Sequence, residues 1–195
     1  ARAFGLDAVA WAKAGLVDLV VPTPRWATIE FDMPMEQWRE LLGGSDATLA
    51  GGLEVLYRPY HAVTPRQVTL KQAAGAAAGI LSRGADCVYL FNYFQDGHPD
   101  WLWADYLKTL NAMNSLDALR NMPRCVGVTY RDIRTAAEKY RPPLPASGKE
   151  IVLSLNPGPL PEENWDCLLS IAVEMPKTEQ ASPPSAAVDG NPCRL

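Results

Sequence analysis

The chain has 195 residues, of which 48% are hydrophobic, 21% charged and 9% aromatic, the make-up of an ordinary globular protein with enough length for one good core. A net charge of −4 and a pI near 5.2 argue against a general nucleic-acid binder, which would usually show a basic face. No apolar run approaches the roughly eighteen residues of a membrane span, and two histidines with four scattered cysteines (Cys87, Cys125, Cys167, Cys193) exclude a His-rich metal centre, a C-x-x-C zinc site and a dense disulfide framework.

Helical and strand patterns alternate along the first two thirds of the chain. Leu6, Val9, Ala10 and Ala14 recur at helical spacing, with Asp7 at the start and Gly15 as the stop. Residues 16–21 form a short β-branched run ended by Pro22, which predicts a strand buried on both faces, as in a parallel sheet. Pro34 suits a first helical turn, Trp38, Leu41 and Leu42 give that helix an apolar face, and Gly43-Gly44 ends it. Residues 48–55 predict a second strand, whose Gly51 and Gly52 invite close approach by a neighbour.

A loop over 57–63 then leads to Thr64-Pro65, read as an N-cap with proline behind it, and to a helix over 65–83 with an Ala/Gly-rich centre. Residues 86–92 predict the third strand, and 100–122 a helical stretch broken near Asn114-Ser115. The strand starts near 17, 48 and 87 have the spacing of βα units with right-handed crossovers. Trp11 and Trp38, at helical spacing, are expected in the core.

Past residue 123 the pattern changes. Residues 126–130, 151–155 and 167–173 read as strands, with 141–145 a stiff proline-rich linker and 156–159 a turn. They suggest the opening of a β-sandwich module that does not complete itself. The Pro-, Ser- and Ala-rich stretch 176–195 reads as a disordered tail. The expected organisation is an α/β domain over 1–122, a β-rich module over 123–175 and a tail over 176–195. A start at Ala1-Arg2-Ala3-Phe4-Gly5 suggests a fragment of a longer protein, the alternative being a processed small domain.

In α/β folds the working residues stand at the C-terminal ends of parallel strands and in the loops that follow. Those places hold Thr23, Arg25 and Trp26, then Glu54, Tyr57, Arg58, Tyr60 and His61, then Asn92, Tyr93, Gln95, Asp96, His98 and Trp101. No G-x-G-x-x-G, P-loop, G-x-S-x-G or H-E-x-x-H is present, so nucleotide, phosphate and serine-hydrolase readings lack their usual support. Glu54 is the sharpest feature, because a carboxylate in an apolar strand is expensive unless paired or set at the strand mouth. It is a candidate nucleophile or acid/base; the plainer reading pairs it with Arg58 or Arg25. Trp26, Tyr57, Tyr93 and Trp101 could stack on pyranose rings or simply anchor loops. Asn92 and His61 could bond hydroxyls or satisfy loop backbone. Asp18 and Asp86 precede their strands and belong to the opposite, stability face.

The runs Gly5-Leu6-Asp7, Gly15-Leu16-Val17-Asp18, Gly52-Leu53-Glu54-Val55 and Gly84-Ala85-Asp86, with Asn92-Tyr93-Phe94 closing the third strand, resemble the C-terminal part of glycoside hydrolase-like (β/α)8-barrel proteins, a largely uncharacterised bacterial group. The resemblance covers residues 4–175. It implies a partial (β/α)8 TIM barrel whose strands correspond to the sixth, seventh and eighth, followed by the start of a β-sandwich. Glu54 would stand where retaining barrel hydrolases of the large clan A carry their nucleophile, with the acid/base partner on a fourth strand outside this chain. The implied function is that of a glycosidase acting on poly- or oligosaccharide, inactive as a fragment because two carboxyl groups must flank one bond. The alternative is a non-catalytic carbohydrate-binding or scaffold protein. Substrate contacts would come from Arg25, Trp26, Tyr57, Arg58, His61, Asn92, Tyr93, His98 and Trp101. No metal or other cofactor is implied. The partner is a carbohydrate, with self-association through open sheet edges also expected, and export to the periplasm or cell exterior is implied for the parent protein.

Overall fold

The computed structural model describes residues 5–24, 28–60, 62–95, 99–130, 144–162, 166–171 and 185–192. The chain forms two compact units, 1–163 and 164–195.

The first unit is mixed α/β. Helix α1 (Ala8–Lys13) starts where the Asp7 carboxylate accepts the Ala10 N–H at 3.1 Å. Strand β1 (Leu19–Val20) follows, then helix α2 (Met35–Leu41) and strand β2 (Thr48–Leu53). Strand β3 (Leu56–Tyr57) and strand β4 (Arg66–Gln67) form a small antiparallel hairpin. Helix α3 (Leu70–Ser82), strand β5 (Cys87–Leu90), helix α4 (Trp103–Ala112) and helix α5 (Leu116–Arg120) complete the series, with the predicted break near Asn114-Ser115 in place.

The main sheet has the order β1-β2-β5, all parallel. Its register sets Val20 beside Leu49, and Gly51 and Leu53 beside Val88 and Leu90. The middle strand is buried on both faces, as its apolar run predicts: Leu49, Ala50 and Leu53 are all closed to solvent. Alternation turns Gly51 toward α3, where an added Cβ would overlap Ile80, and Gly52 to the other face, where it would overlap Thr23. The two glycines therefore do what their position suggests. They let a helix and a loop close on the same strand from opposite sides.

Helix α3 begins at residue 70, five residues later than Thr64-Pro65 indicates. Arg66–Gln67 is taken by the hairpin, and Val68 is fully buried with its N–H on the Val55 carbonyl at 2.8 Å. The cap is Thr69. Its hydroxyl accepts the Gln72 N–H at 3.2 Å, and the Gln72 side chain accepts the Thr69 N–H at 2.8 Å. Residues 73–81 of this helix are all buried. Gly75 lies against the Cys125 carbonyl, so the chain after α5 packs directly on the helix. Arg83, at its C-terminal end, pairs with Asp32 and Glu36.

Residues 126–130 form no strand. The Cys125 N–H is bonded to the Lys71 carbonyl and the Tyr130 N–H to the Pro59 carbonyl. Residues 151–155 also form no strand, and Val152 is 72% exposed. The same is true of the described part of 167–173, where Leu168 is 91% exposed. The β-sandwich opening expected from these three runs is thus not formed among the described residues. Residues 123–130 and 144–162 instead group with the α/β unit, and Arg124 Nη2 donates to the Pro159 carbonyl at 2.6 Å. Trp38 packs on the core as expected, whereas Trp11 is only half-buried.

In the second unit, strand β6 (Ala187–Val188) and strand β7 (Asn191–Pro192) form a hairpin turned by Asp189 and Gly190, both at positive φ. The disordered-tail reading does not hold for these residues, because Asp-Gly supplies a tight turn that overall composition hides. Within this stretch, residues 176–184 and 193–195 lie outside the described residues. No helix among the described residues is long and apolar enough to cross a membrane.

Candidate functional site

Glu54 stands one residue past the C-terminal end of β2, the middle strand of the parallel sheet. It is 2% exposed, and its Oε1 accepts the N–H of Val55 at 2.9 Å. The strand mouth, the position from which α/β folds work, is therefore where this carboxylate lies. Its main-chain carbonyl accepts the Tyr93 hydroxyl at 3.0 Å. Burial, and after it the charge of Glu54, push the Tyr93 hydroxyl far above the ordinary tyrosine range, so Tyr93 remains a proton donor at any working pH.

Tyr93 heads a stack of aromatic rings. Trp101 lies on it with ring centroids 5.6 Å apart, and Tyr106 lies on Trp101 at 5.5 Å, both nearly parallel. The Tyr106 hydroxyl donates to the Tyr93 carbonyl at 2.6 Å, and Trp101 Nε1 donates to the Val68 carbonyl at 2.9 Å. This stack corrects the expectation for two residues. Trp101 is fully buried and Tyr93 nearly so. Trp101 lies between the Tyr93 and Tyr106 rings, and both it and Tyr93 are buried, so they buttress the mouth and offer no stacking surface to a sugar.

Tyr57 follows Glu54 on β3, half-buried, with its ring edge-on to Phe31 at 6.5 Å. The Arg58 N–H is held by the Thr28 hydroxyl at 2.9 Å, and its Nε donates to the Val63 carbonyl at 2.8 Å. Asn92 is exposed just beyond β5, at a positive φ of 58° that asparagine tolerates better than most residues. Arg25, Trp26, His61 and His98 lie outside the described residues. The structure thus brings Glu54, Tyr93 and Trp101 into one connected group, with Tyr57 and Arg58 continuing the chain from it.

Two contributors escape the sequence reading: Tyr106 closes the stack, and Thr28 anchors the loop after β3. Outside this group, Glu30 is a second buried carboxylate, 6% exposed. The signal for Glu30 is its place between Ile29 and Phe31, where a single acid interrupts buried apolar residues. Asp86, by contrast, lies where its position before β5 implies. It accepts the Leu49 N–H at 2.8 Å and pairs with Arg39 at 2.7 Å, away from Glu54. A cleft of about 220 Å³ lies at this same N-terminal end of the strands, lined in part by Lys13, Asp18, Ser45 and Asp46. No group of three or more His, Cys, Asp or Glu side chains able to hold a metal exists among the described residues.

No protein-family model matches the chain, and no curated protein matches it either.

Proposed function

We propose that this chain is part of a carbohydrate-active protein of glycoside hydrolase type, in which Glu54 is the nucleophilic carboxylate. The observation that carries the reading is the place of Glu54 at the C-terminal mouth of the middle strand in a parallel sheet whose three strands, β1, β2 and β5, lie side by side in chain order. That order is what a segment of a (β/α) barrel requires, and the strand mouth is where barrel chemistry is done. In the reaction a Glu54 carboxylate oxygen bonds to the anomeric carbon as the glycosidic C–O bond breaks. The leaving oxygen takes a proton from a second carboxyl, and water then releases the sugar from Glu54.

The depth of Glu54 favours a second reading. A carboxylate with 2% exposure that already accepts a backbone N–H serves equally to hold a strand mouth in shape. The protein would then bind glycan without cleaving it. Glu54→Gln in the full-length protein separates the two. The hydrolase reading predicts that polysaccharide hydrolysis falls by on the order of 10³-fold or more while glycan binding persists. Unchanged turnover in that variant contradicts the nucleophile. Glycan binding by a wild-type protein that shows no hydrolysis selects the binding reading.

A further inference from the structure

Residues 156–160 lie across helix α3. Gly158, at a positive φ of 72°, sits so close to the helix that an added Cβ would stand 2.9 Å from the Cβ of Ala78, and the Asn156 carbonyl faces Gly79 one residue on. The Asn156 side chain accepts the Gly158 N–H at 3.1 Å and turns the run there. Two contacts from the chain at and after the end of α5 fasten it. Arg124 Nη2 donates to the Pro159 carbonyl at 2.6 Å, and the Asn121 side-chain oxygen accepts the Glu162 N–H at 3.4 Å.

The Arg124 guanidinium is left half-used. Its second terminal nitrogen, Nη1, is closed to solvent and has no acceptor among the described residues. An enclosed cationic donor without an acceptor is strongly unfavourable. A like charge lies beside it: burial, and after it the charge of Arg120, hold the Arg124 guanidinium below the ordinary arginine range. Arg120 in turn pairs with Asp117 at 3.9 Å, and the Asp117 side chain is 94% exposed. Such a loose surface pair neutralises little.

We infer that Arg124 and Arg120 hold a phosphate group, free or as a monoester. One phosphate oxygen accepts the N–H of Arg124 Nη1. A second faces Arg120, whose side chain is 39% exposed and forms the open side of the site. Phosphate suits two like charges better than a carboxylate does, because it carries nearly two negative charges at neutral pH and its oxygens match the fork of a guanidinium. Arg124 also holds residues 156–160 on α3, so the anion fastens that segment as it binds. None of these residues belongs to the group around Glu54, and the inference does not rest on the carbohydrate reading.

The test compares sodium phosphate, glycerol 3-phosphate and sodium acetate at equal ionic strength, by calorimetric titration, thermal unfolding and amide hydrogen exchange. Phosphate at about ten times its dissociation constant raises the melting temperature of the wild-type chain by about 3 °C and slows exchange at Gly158 and Glu162, and acetate does neither. Arg120 makes no contact with the fastened segment, so Arg120→Gln keeps the wild-type melting temperature without phosphate and binds phosphate about tenfold more weakly. Arg124→Lys keeps the charge, loses the fork and weakens binding at least as much. Lys13→Gln, which removes an exposed cation elsewhere, binds as wild type does. A response to both phosphates assigns the site to esters, and a response to inorganic phosphate alone assigns it to the free ion. No binding of either phosphate by wild type overturns the site. So does an equal response to acetate, or unchanged phosphate affinity in Arg120→Gln. None of these outcomes touches the role of Glu54.

Discussion

Helices α3 and α4 are 13 and 10 residues long, both pack in the α/β unit, and their surroundings are opposite. Helix α3 is built from alanine and glycine and is buried all the way round from residue 73 to residue 81. Helix α4 carries larger apolar side chains and buries only Tyr106, Thr109 and Ala112, leaving Trp103 and Leu107 in solvent. Side-chain size therefore decides which helix is enclosed. Small residues let β2, β5 and the chain around Cys125 reach the α3 backbone, whereas α4 holds its neighbours off and keeps one face open. The enclosed helix carries the sheet that sets Glu54 in place.

A substitution that enlarges α3 should break this difference most sharply. Gly75→Val puts side-chain atoms where the Cys125 carbonyl lies, and overpacking of that kind costs about 1–3 kcal/mol or more. The melting temperature should fall by about 5 °C, while Leu107→Ser on α4 should change stability by less than about 0.5 kcal/mol. Equal effects of the two would mean that α3 is not enclosed as described. Thermal unfolding of both variants decides it.

A smaller effect concerns the exit from α3. There Arg39 donates to the Gly84 carbonyl and pairs with Asp86, which also accepts the Leu49 N–H. The Arg39 guanidinium, and after it the Leu49 N–H, hold the Asp86 carboxyl below the usual aspartate range. A lowered folded-state pKa gives stability that is present above the unfolded value and lost as pH falls through the folded one. Both partners are nearly half exposed, which limits the contribution to about 1 kcal/mol. Asp86→Asn should thus destabilise by up to about 1 kcal/mol near neutral pH, with the gap from wild type closing from about pH 4 downward. A gap that widens in acid, read from denaturant titrations at several pH values, would contradict the pairing.

Much of the parallel core was legible before the structure. The runs around β1, β2 and β5 are short, apolar and separated by helical periods, so both the strands and the position of Glu54 follow from local pattern. The start of α3 did not follow, because Thr64-Pro65 is a good local signal that loses to pairing between β3 and β4, a contact local pattern does not reveal. Residues 126–130 and 151–155 carry strand propensity, but context decides whether such residues pair, and here they form no strand. The different burial of Trp101 and Trp103 was hidden for a similar reason. Two tryptophans two residues apart look alike in sequence, and only the packing of Tyr93 and Tyr106 decides which is enclosed.

The role of Glu54 is tested most directly by covalent trapping. A fluorinated glycosyl donor with an activated leaving group needs no acid assistance, so a nucleophile can be labelled without its proton-donating partner. The protein should gain the mass of one glycosyl group, peptide mapping should place it on Glu54, and Glu54→Gln should gain none. A label on another carboxylate, or no label on a protein shown to bind and cleave the glycan, would contradict the assignment.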